Sequence, residues 1–294
     1  MIIRDYMSEL KTVIITGANS GLGFETAKKL ASNNNFHIIL ACRNLEKAEL
    51  AKEEIVKETQ NTNIECMKLD TSSLKSVEEF VSEFEKVNDS LYGLINNAGI
   101  SGMHQGKSID GVEIVMATNY LGHWYLTNLL LEKYDVKKIF NITSDMHNPP
   151  QGLKWRNVED IFYSENNDRT AYPYSKLSNI YFTNELQERL DKENKDTLVN
   201  SFNPGMMQTN FAGGKVPKER IMYVKTMMPD RFGDLNKSSS ALASLMLDDS
   251  LNVKARYFDR SVNYKESSPL SYEIKNQKEL WDYTEQFIKE WKKK

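Results

Sequence analysis

Short apolar runs alternate with longer amphipathic segments over the first two-thirds of the chain. The apolar runs predict strands at residues 12–16, 37–41, 64–69, 93–97, 138–143 and 198–202. Between them, segments such as 44–59 and 73–87 place apolar residues on one face at helical spacing. Continuous apolar strands separated by helices are typical of a parallel sheet that helices cover on both faces. The pattern therefore predicts an α/β fold with a doubly wound parallel sheet.

Two longer segments depart from this alternation, and a third ends the chain. Residues 145–169 are polar and irregular with scattered aromatic side chains, and residues 206–235 are rich in methionine. Long loops within compact domains are often lids or binding segments, although ordinary surface excursions fit the same pattern. Residues 275–294 predict an amphipathic helix, which either packs on the domain or mediates self-association into a homo-oligomer. Because no linker or repeat is visible, we predict one domain over residues 1–294, with a substrate lid near 206–235.

Composition and charge limit the kinds of molecule that the protein is expected to bind and its expected location in the cell. The net charge of −3 and the lack of a basic arm argue against nucleic-acid binding. Cys42 and Cys66 have no metal-binding or redox spacing, so buried free thiols in a reducing compartment are expected. No apolar run reaches membrane-spanning length, and the start of the chain is too short and too charged for a signal peptide. We therefore expect a cytoplasmic protein without an integral membrane segment.

Three glycines, Gly17, Gly21 and Gly23, follow the first predicted strand and open the next predicted helix. Glycines at this position allow a sharp turn, a close approach of the backbone to a pyrophosphate, and tight packing of helix on strand. The N–H groups at the start of the helix would then face the phosphates. A strand-to-helix turn without any ligand can carry the same three glycines. The motif favours a Rossmann-type dinucleotide site, and it lacks the Lys-Ser/Thr ending of a P-loop.

The end of the second predicted strand indicates which dinucleotide such a site prefers. A site for NAD needs a carboxylate there to bind the ribose 2′-hydroxyl, and this sequence has Ala41, Cys42 and Arg43 instead. A guanidinium at that place can pair with the 2′-phosphate of NADP. The alternative is an ordinary surface arginine in the first turn of the following helix. We predict NADP as the cofactor.

Tyr172 and Lys176 stand four residues apart, which places both side chains on one face of a helix. A tyrosine with its usual pKa near 10 is a poor proton donor or acceptor at neutral pH, whereas a neighbouring ammonium stabilises the phenolate. The pair is therefore a candidate for proton transfer. Such pairs also arise by chance on exposed helices, and Tyr174 offers the same chemistry but points away from Lys176. The pair needs support from elsewhere in the chain.

That support comes from an ordered set of short motifs. The sequences "TGANSGLG", "LDTSSL", "NNAG", "TNYLGH", "NITSD", "YPYSK" and "NPG" occur in this order. With them, the chain resembles the short-chain dehydrogenase/reductase family over about residues 11–250. Within that family it is most similar to the branch of retinol-dehydrogenase-like enzymes and light-dependent protochlorophyllide reductases. The closer likeness lies in "ACRN", "TNYLGHWYLTNLLL" and "YPYSKLSNIYFTNELQERL".

The resemblance implies a catalytic role for each of four residues. Tyr172 would be the general acid in reduction and the general base in oxidation. Lys176 would lower the pKa of that phenol and bind the nicotinamide ribose. Ser144 would donate a hydrogen bond to the substrate carbonyl oxygen, and Asn119 would hold a water that links Lys176 to solvent. Taken singly, Asn119 and Ser144 also fit structural roles at a helix or a strand end.

The same resemblance implies cofactor-binding residues: Gly17, Asn19, Ser20, Gly21, Leu22, Gly23, Arg43, Asp70, Thr71, Asn97, Ala98, Gly99, Tyr172, Lys176, Pro204, Gly205 and Thr209. Among them, Asp70 and Thr71 would flank the adenine, and Thr209 would reach the nicotinamide half. Hydride transfer is the cofactor's own chemistry, and the histidines lack metal-binding spacing, so no metal is expected. His123 is expected to be a packed helix residue.

The predicted function is that of an NADP(H)-dependent oxidoreductase that transfers a hydride between nicotinamide and a carbonyl or alcohol group. An apolar aldehyde or ketone is favoured by candidate pocket residues that would otherwise belong to the core: Trp155, Phe162, Tyr163, Phe211, Met222, Tyr223, Met227, Met228 and Phe232. Reduction of a carbon–carbon double bond is an alternative, but the spacer between Ser144 and Tyr172 lacks the cysteine expected for that chemistry. A second alternative is a non-catalytic NADP(H)-sensing protein, in which a broken Tyr/Lys pair would be usual.

Overall fold

The computed structural model describes residues 10–164, 170–207 and 218–293. Within these residues eight strands form one sheet: β1 (Lys11–Thr16), β2 (Phe36–Cys42), β3 (Ile64–Lys68), β4 (Gly93–Asn96), β5 (Lys138–Ile142), β6 (Leu198–Asn203), β7 (Tyr257–Asp259) and β8 (Tyr264–Lys265). Their order across the sheet is β3-β2-β1-β4-β5-β6-β7-β8, and every neighbouring pair is parallel except β7–β8. The predicted α/β fold is confirmed.

The strands β1 to β6 lie within one residue of the bounds that the apolar runs predict. Most of their residues are buried, since helices cover both faces of the sheet, and this is why the sequence shows continuous apolar runs. The pattern does not predict β7 and β8, which have 3 and 2 residues. Segments this short carry too few positions for an apolar run or an alternation to be recognised.

The helices in the described parts of the chain are α1 (Gly21–Ala31), α2 (Leu45–Thr59), α3 (Leu74–Val87), α4 (Ile114–Met116), α5 (Gly122–Leu131), α6 (Val158–Phe162), α7 (Ala171–Lys192), α8 (Lys218–Met227), α9 (Leu235–Leu247) and α10 (Ile274–Trp291). The side chain of Asn44 caps α2 by accepting a hydrogen bond from the Lys47 amide, and Ser73 caps α3 in the same way. None of the helices described has the length and hydrophobicity that crossing a membrane requires.

Helices α1, α2 and α9 pack on one face of the sheet, and α3, α5 and α7 pack on the other, with α10 against α7. Strand β1 shows the division, because Val13 and Ile15 belong to the first layer and Ile14 to the second. β1 pairs with β2 on one side and with β4 on the other. The chain connections diverge at this point, so the carboxyl ends of β1 and β4 border a crevice of the kind where α/β sheets bind ligands.

The C-terminal helix α10 packs on the second layer, which is one of the two outcomes that the sequence leaves open. The ring of Trp281 lies 5.1 Å from that of Trp124 in an edge-to-face arrangement. The hydroxyl groups of Tyr120 and Thr284 are 2.9 Å apart and buried. Aromatic contacts of this kind add to the apolar burial that holds the helix in place.

Both cysteines are free thiols, Cys42 buried and Cys66 half-buried. Burial raises the pKa of Cys42 to about 11, and backbone hydrogen bonds from Ala18 and Asn19 oppose that shift. The thiol of Cys42 is therefore protonated at neutral pH and acts as a small apolar side chain beneath the glycine turn.

Candidate active site

The glycine turn after β1 has a backbone that only glycine adopts without strain. Gly17 has φ +65° and Gly21 has φ +59°. A Cβ atom on Gly17 would lie 2.9 Å from the Ala98 Cα atom, and one on Gly23 would lie 2.5 Å from the Asn97 side-chain nitrogen. The turn is therefore pressed against the segment that follows β4, and side chains at these positions would push the two apart.

Thr16 and Asn97 join the ends of β1 and β4. The Thr16 Oγ1 atom accepts hydrogen bonds from the backbone N–H groups of Asn97 (2.9 Å) and Ala98 (2.8 Å). In return, the side-chain amide of Asn97 donates to the Thr16 carbonyl oxygen at 2.7 Å. Sequence reasoning selected Asn97 and Ala98 but missed Thr16, although a hydroxyl directly before the first glycine of the motif was a usable signal.

The first turn of α1 presents N–H groups that no side chain caps. Ser20 stands before the helix in extended conformation, and its side chain makes no capping hydrogen bond within the described structure. Unpaired N–H groups and the positive end of the helix dipole favour an anion at this place. Asn19 and Ser20 are partly or fully exposed here, whereas Leu22 is buried in the core. The backbone of the turn thus fits a phosphate-bearing ligand, and Leu22 contributes packing.

Arg43 follows β2 directly and is exposed at the same edge of the sheet. Its guanidinium has no ion-pair partner within residues 10–164, 170–207 and 218–293, so its charge is available to a ligand. The Lys68 side chain donates a hydrogen bond to the Arg43 carbonyl oxygen and adds a second cation nearby. A guanidinium and an ammonium therefore both lie near the end of β2.

The residues expected around the adenine lie after β3. The Asp70 carboxylate accepts hydrogen bonds from the Ser72 backbone (3.0 Å) and hydroxyl (2.6 Å). Thr71 is buried, and its carbonyl oxygen would lie 1.9 Å from a Cβ atom on Gly122. Helix α5 therefore begins in direct contact with the Thr71 backbone, and glycine is required at its first position.

Pro204 and Gly205 follow β6 at the same edge of the sheet. Gly205 has φ +77°, and a Cβ atom there would lie 2.8 Å from the Gly233 backbone. The Met206 amide donates to the Arg231 carbonyl oxygen at 2.8 Å, so the segment leaving β6 is paired with the segment returning to α9. Thr209, the other cofactor residue expected here, lies outside the described residues.

Tyr172, Lys176 and Ser144 come together beside this crevice. Tyr172 and Lys176 are both in α7, and the Lys176 Nζ atom lies 5.6 Å from the centre of the Tyr172 ring. Ser144, two residues beyond β5, forms a hydrogen bond with the Tyr172 side chain. Tyr174 points elsewhere, as expected, since its hydroxyl donates to the Lys154 carbonyl oxygen at 2.6 Å. The structure therefore brings a phenol, a hydroxyl and an amine to one place.

The electrostatics of this trio differ from the expectation that Lys176 lowers the pKa of Tyr172. Burial raises the pKa of Tyr172 to about 12, and the hydrogen bond with Ser144 opposes part of that shift. Burial also lowers the pKa of Lys176 to about 7, so the amine carries only part of its charge near neutral pH. Its Nζ atom donates to the Ile142 carbonyl oxygen at 3.1 Å rather than to the phenol.

Asn119 is fully buried in a π-helical turn, Ala117–Leu121, that joins α4 to α5. Its Oδ1 atom accepts from the Ile100 amide at 2.8 Å, and its Nδ2 atom donates to the Ile100 carbonyl oxygen (3.1 Å) and to Ser175 (3.0 Å). π-Helical turns within longer helices are frequent at functional sites. Here the amide ties the segment after β4 to α7 next to Lys176, which is the bridging role that the sequence leaves open.

The aromatic and methionine residues expected around a substrate have different surroundings where the structure describes them. Phe162 is buried in the core against Tyr283, with ring centres 5.1 Å apart, which is the core alternative that the sequence leaves open for it. The reason is that α10 covers the end of α6. On α8, Met222, Tyr223 and Met227 are exposed by 69%, 58% and 65%. Phe211 lies outside the described residues.

Residues 11–152 match the family model for short chain dehydrogenases. Retinol dehydrogenase 13 of Mus musculus is 33% identical over 283 residues, which cover 92% of this chain and 81% of that protein. The chloroplastic short-chain dehydrogenase TIC 32 B of Brassica napus is 38% identical over 211 residues, covering 68% and 65% of the two chains. A crystal structure of an uncharacterised protein from Mycobacterium paratuberculosis, 30% identical, superposes with a TM-score of 0.73 over 95% of this chain and 93% of that one.

The sheet order and the glycine turn at the β1/β4 crevice define a Rossmann-type nucleotide-binding fold. Together with the extended similarity to retinol dehydrogenase 13, they establish the family. The chain belongs to the short-chain dehydrogenases, a family of oxidoreductases.

Proposed function

We propose that this chain is an NADP(H)-dependent oxidoreductase that interconverts the carbonyl and alcohol forms of a small apolar substrate. The observation that carries the proposal is the convergence of Tyr172, Ser144 and Lys176 at the carboxyl edge of the sheet, where the glycine turn also lies. Ser144 and Tyr172 are distant in sequence, and their contact at the carboxyl edge of the sheet supports a role in proton transfer.

Each of these side chains has a task that follows from its surroundings. Tyr172 supplies the proton to the substrate oxygen in reduction and takes it back in oxidation. Ser144, already hydrogen-bonded to Tyr172, orients the substrate oxygen toward the phenol. A bound nicotinamide supplies the hydride.

Lys176 has N–H donors that a ligand could use. An ammonium has three N–H donors, and Lys176 uses one of them on the Ile142 carbonyl oxygen. A ribose hydroxyl would accept another and keep the amine protonated beside the phenol. In that state the positive charge would lower the pKa of Tyr172 from its raised value.

The preference for NADP over NAD rests on Arg43. The exposed guanidinium without an ion-pair partner among the described residues, and Lys68 beside it, supply the positive charge that a 2′-phosphate needs. The place where an NAD site carries a carboxylate holds no acid. The apolar substrate class is supported by similarity to retinol dehydrogenases, whose name describes an apolar alcohol.

The test begins with titration of the purified protein with NADPH and with NADH, followed by a panel of apolar aldehydes and ketones. Turnover is read from the loss of nicotinamide absorbance. We expect NADPH to bind more tightly than NADH, and Arg43→Ala to remove most of that difference. Tyr172→Phe should abolish turnover and keep cofactor binding, whereas the matched variant Tyr174→Phe, which lies two residues away, should keep both.

Each failure has a distinct reading. Tight NADPH binding without turnover on any carbonyl would favour the sensing protein. Turnover only on conjugated double bonds, with the carbonyl kept in the product, would favour the double-bond reductase. Equal affinity for both dinucleotides would remove the NADP preference alone.

A further inference from the structure

His123, the second residue of α5, is buried between two parts of the site. Its Nε2 atom lies 2.9 Å from the Thr16 Oγ1 atom at the end of β1. Its Nδ1 atom lies 3.1 Å from the Asn119 carbonyl oxygen. The imidazole therefore stands between the nucleotide-binding turn and the buried asparagine of the π-helical turn.

The chemistry of the two partners determines the direction of both hydrogen bonds. A carbonyl oxygen only accepts, so the Nδ1 atom of His123 carries the proton and donates it to Asn119. The Nε2 atom of the neutral ring is then an acceptor, and the Thr16 hydroxyl donates to it. Burial lowers the pKa of His123 to about 4, and repulsion from Lys176 adds to that shift, so the ring stays neutral at physiological pH.

This bond determines how the Thr16 hydroxyl is turned. A hydroxyl has one proton and two lone pairs. The two lone pairs of Thr16 Oγ1 already accept from the N–H groups of Asn97 and Ala98. The other acceptor near Thr16 is the Ile95 carbonyl oxygen, at the long distance of 3.5 Å. His123 is therefore the acceptor that lets Thr16 satisfy all three bonds at once.

Through Asn119, His123 is also linked to helix α7, which carries Tyr172. Asn119 donates to the Ser175 hydroxyl at 3.0 Å, and Ser175 donates to the Tyr172 carbonyl oxygen at 2.8 Å. A continuous path of hydrogen bonds thus runs from the end of β1, through His123 and Asn119, to the turn of α7 that carries Tyr172.

We infer that His123 is a positioning residue. It fixes the nucleotide-binding turn relative to helix α7, so that a bound dinucleotide lies correctly against Tyr172. This rests on the proposed function. His123 touches neither the substrate nor the reacting atoms; it acts through Thr16 and Asn119.

The test compares His123→Phe with two partial replacements of the same side chain and with one change at Thr16. Phenylalanine keeps an aromatic ring in the cavity and removes both bonds. His123→Asn keeps an amide donor near the place of Nδ1, and His123→Gln keeps an acceptor near the place of Nε2. Thr16→Val removes the hydroxyl at the far end. Steady-state kinetics give kcat and KM separately, and hydrogen exchange reports the backbone N–H groups of Asn97 and Ala98 without any cofactor.

For His123→Phe we expect kcat to fall by about 10- to 100-fold with a smaller change in substrate KM, because misplacement of reacting groups costs rate more than binding. The exchange rates of the Asn97 and Ala98 amides should rise by about five- to tenfold, as for loss of one buried hydrogen bond. The double variant of His123→Phe and Thr16→Val should lose less kcat than the product of the two single losses, since both changes break the bond between Thr16 and His123. His123→Asn and His123→Gln should each recover part of the loss.

Unchanged kcat with a uniform rise in exchange over the whole sheet would overturn the inference and leave His123 as a packing residue. Additive effects of His123→Phe and Thr16→Val on kcat would overturn it as well. Should His123→Phe fail to fold, Thr16→Val and His123→Gln carry the same comparison. If the unmodified protein shows no turnover, the proposed function fails, and the exchange of Asn97 and Ala98 still decides the role of His123.

Discussion

Two lysines are buried in this molecule to the same extent, each with 3% of its surface exposed, and they lie at opposite edges of the sheet. Lys138 begins β5 and donates to three carbonyl oxygens where α9 ends, those of Leu245 (3.1 Å), Met246 (2.9 Å) and Asp248 (2.6 Å). Lys176, beside the crevice, has one such partner among the described residues, the Ile142 carbonyl oxygen. Among the described residues, the ammonium of Lys138 thus has a partner for each of its three N–H donors, whereas that of Lys176 has a partner for one.

The surroundings reinforce the difference. Burial lowers the pKa of Lys138 to about 8, and the nearby carboxylates of Asp249 and Asp248 oppose that shift. Burial lowers the pKa of Lys176 to about 7, and no carboxylate of the described residues opposes that shift. A buried amine that closes a helix end stabilises the fold. A buried amine with unfilled donors is costly in the free protein, and a ligand that fills them recovers that cost.

The largest expected effect is that of Lys176→Met on catalysis. We expect kcat to fall by about 10²- to 10⁴-fold, since the phenol loses its neighbouring charge. At pH 7 the free energy of unfolding should rise by about 1–3 kcal/mol, because an incompletely paired buried amine is replaced by an apolar chain. The Ile142 carbonyl oxygen keeps its bond from Asn179 at 2.9 Å. Kinetics and urea unfolding measure the two effects, and retained turnover would contradict the assignment of Lys176.

Lys138→Met should have the opposite signature. We expect the free energy of unfolding to fall by about 2–4 kcal/mol, because three carbonyl oxygens at the end of α9 lose their donor. The kcat of the folded variant should be unchanged. Urea unfolding at pH 7 measures the loss, with the exposed neighbour Lys137→Met as the matched control. Equal stability of the two variants would show that the carbonyl contacts contribute nothing.

The pH dependence of stability separates the two lysines further. The pKa of Lys176 is about 7 in the folded protein and about 10.5 when unfolded, so between these values the unfolded chain binds more protons. Stability should therefore rise with pH over this window, by at most about 1.4 kcal/mol per pH unit from this group. Comparison of unfolding midpoints from pH 7 to 9 should show a steeper rise in the unmodified protein than in Lys176→Met. Parallel curves would mean that burial does not shift the pKa of Lys176.

The smallest effect is expected for Asp249→Asn, near Lys138. The Asp249 carboxylate pairs with Lys11 at 2.7 Å and accepts from the Tyr92 hydroxyl at 2.9 Å, but its side chain is 68% exposed. Exposed pairs contribute little, so we expect a loss of about 0.2–1 kcal/mol in the free energy of unfolding. Thermal unfolding at low and high salt should show this loss shrinking as salt rises. A loss comparable to that of Lys138→Met would place the stabilisation in the carboxylate rather than in the carbonyl oxygens.

Local patterns predicted well what is locally encoded. Strands β1 to β6 follow from apolar runs, since a strand buried on both faces needs apolar side chains at every position. The starts of α2 and α3 follow from Asn44 and Ser73, whose side chains cap them. Tyr172 and Lys176 share a helix face because their spacing matches the helical repeat. In each case the information lies within a few residues of the feature that it predicts.

Contacts between distant segments are another matter. Thr16 and His123 are 107 positions apart, and the local sequence around either residue does not predict the bond between them. Phe162 has the large apolar side chain of a pocket residue, yet α10 covers it. The pKa of Tyr172 moves upward, because burial outweighs its hydrogen bond with Ser144. Periodicity along a chain is set by the geometry of one helix or strand, whereas burial and the choice of partners depend on how separate elements pack. In this protein, packing decides that Lys138 bonds three carbonyl oxygens at a helix end and that Lys176 bonds one carbonyl oxygen among the described residues.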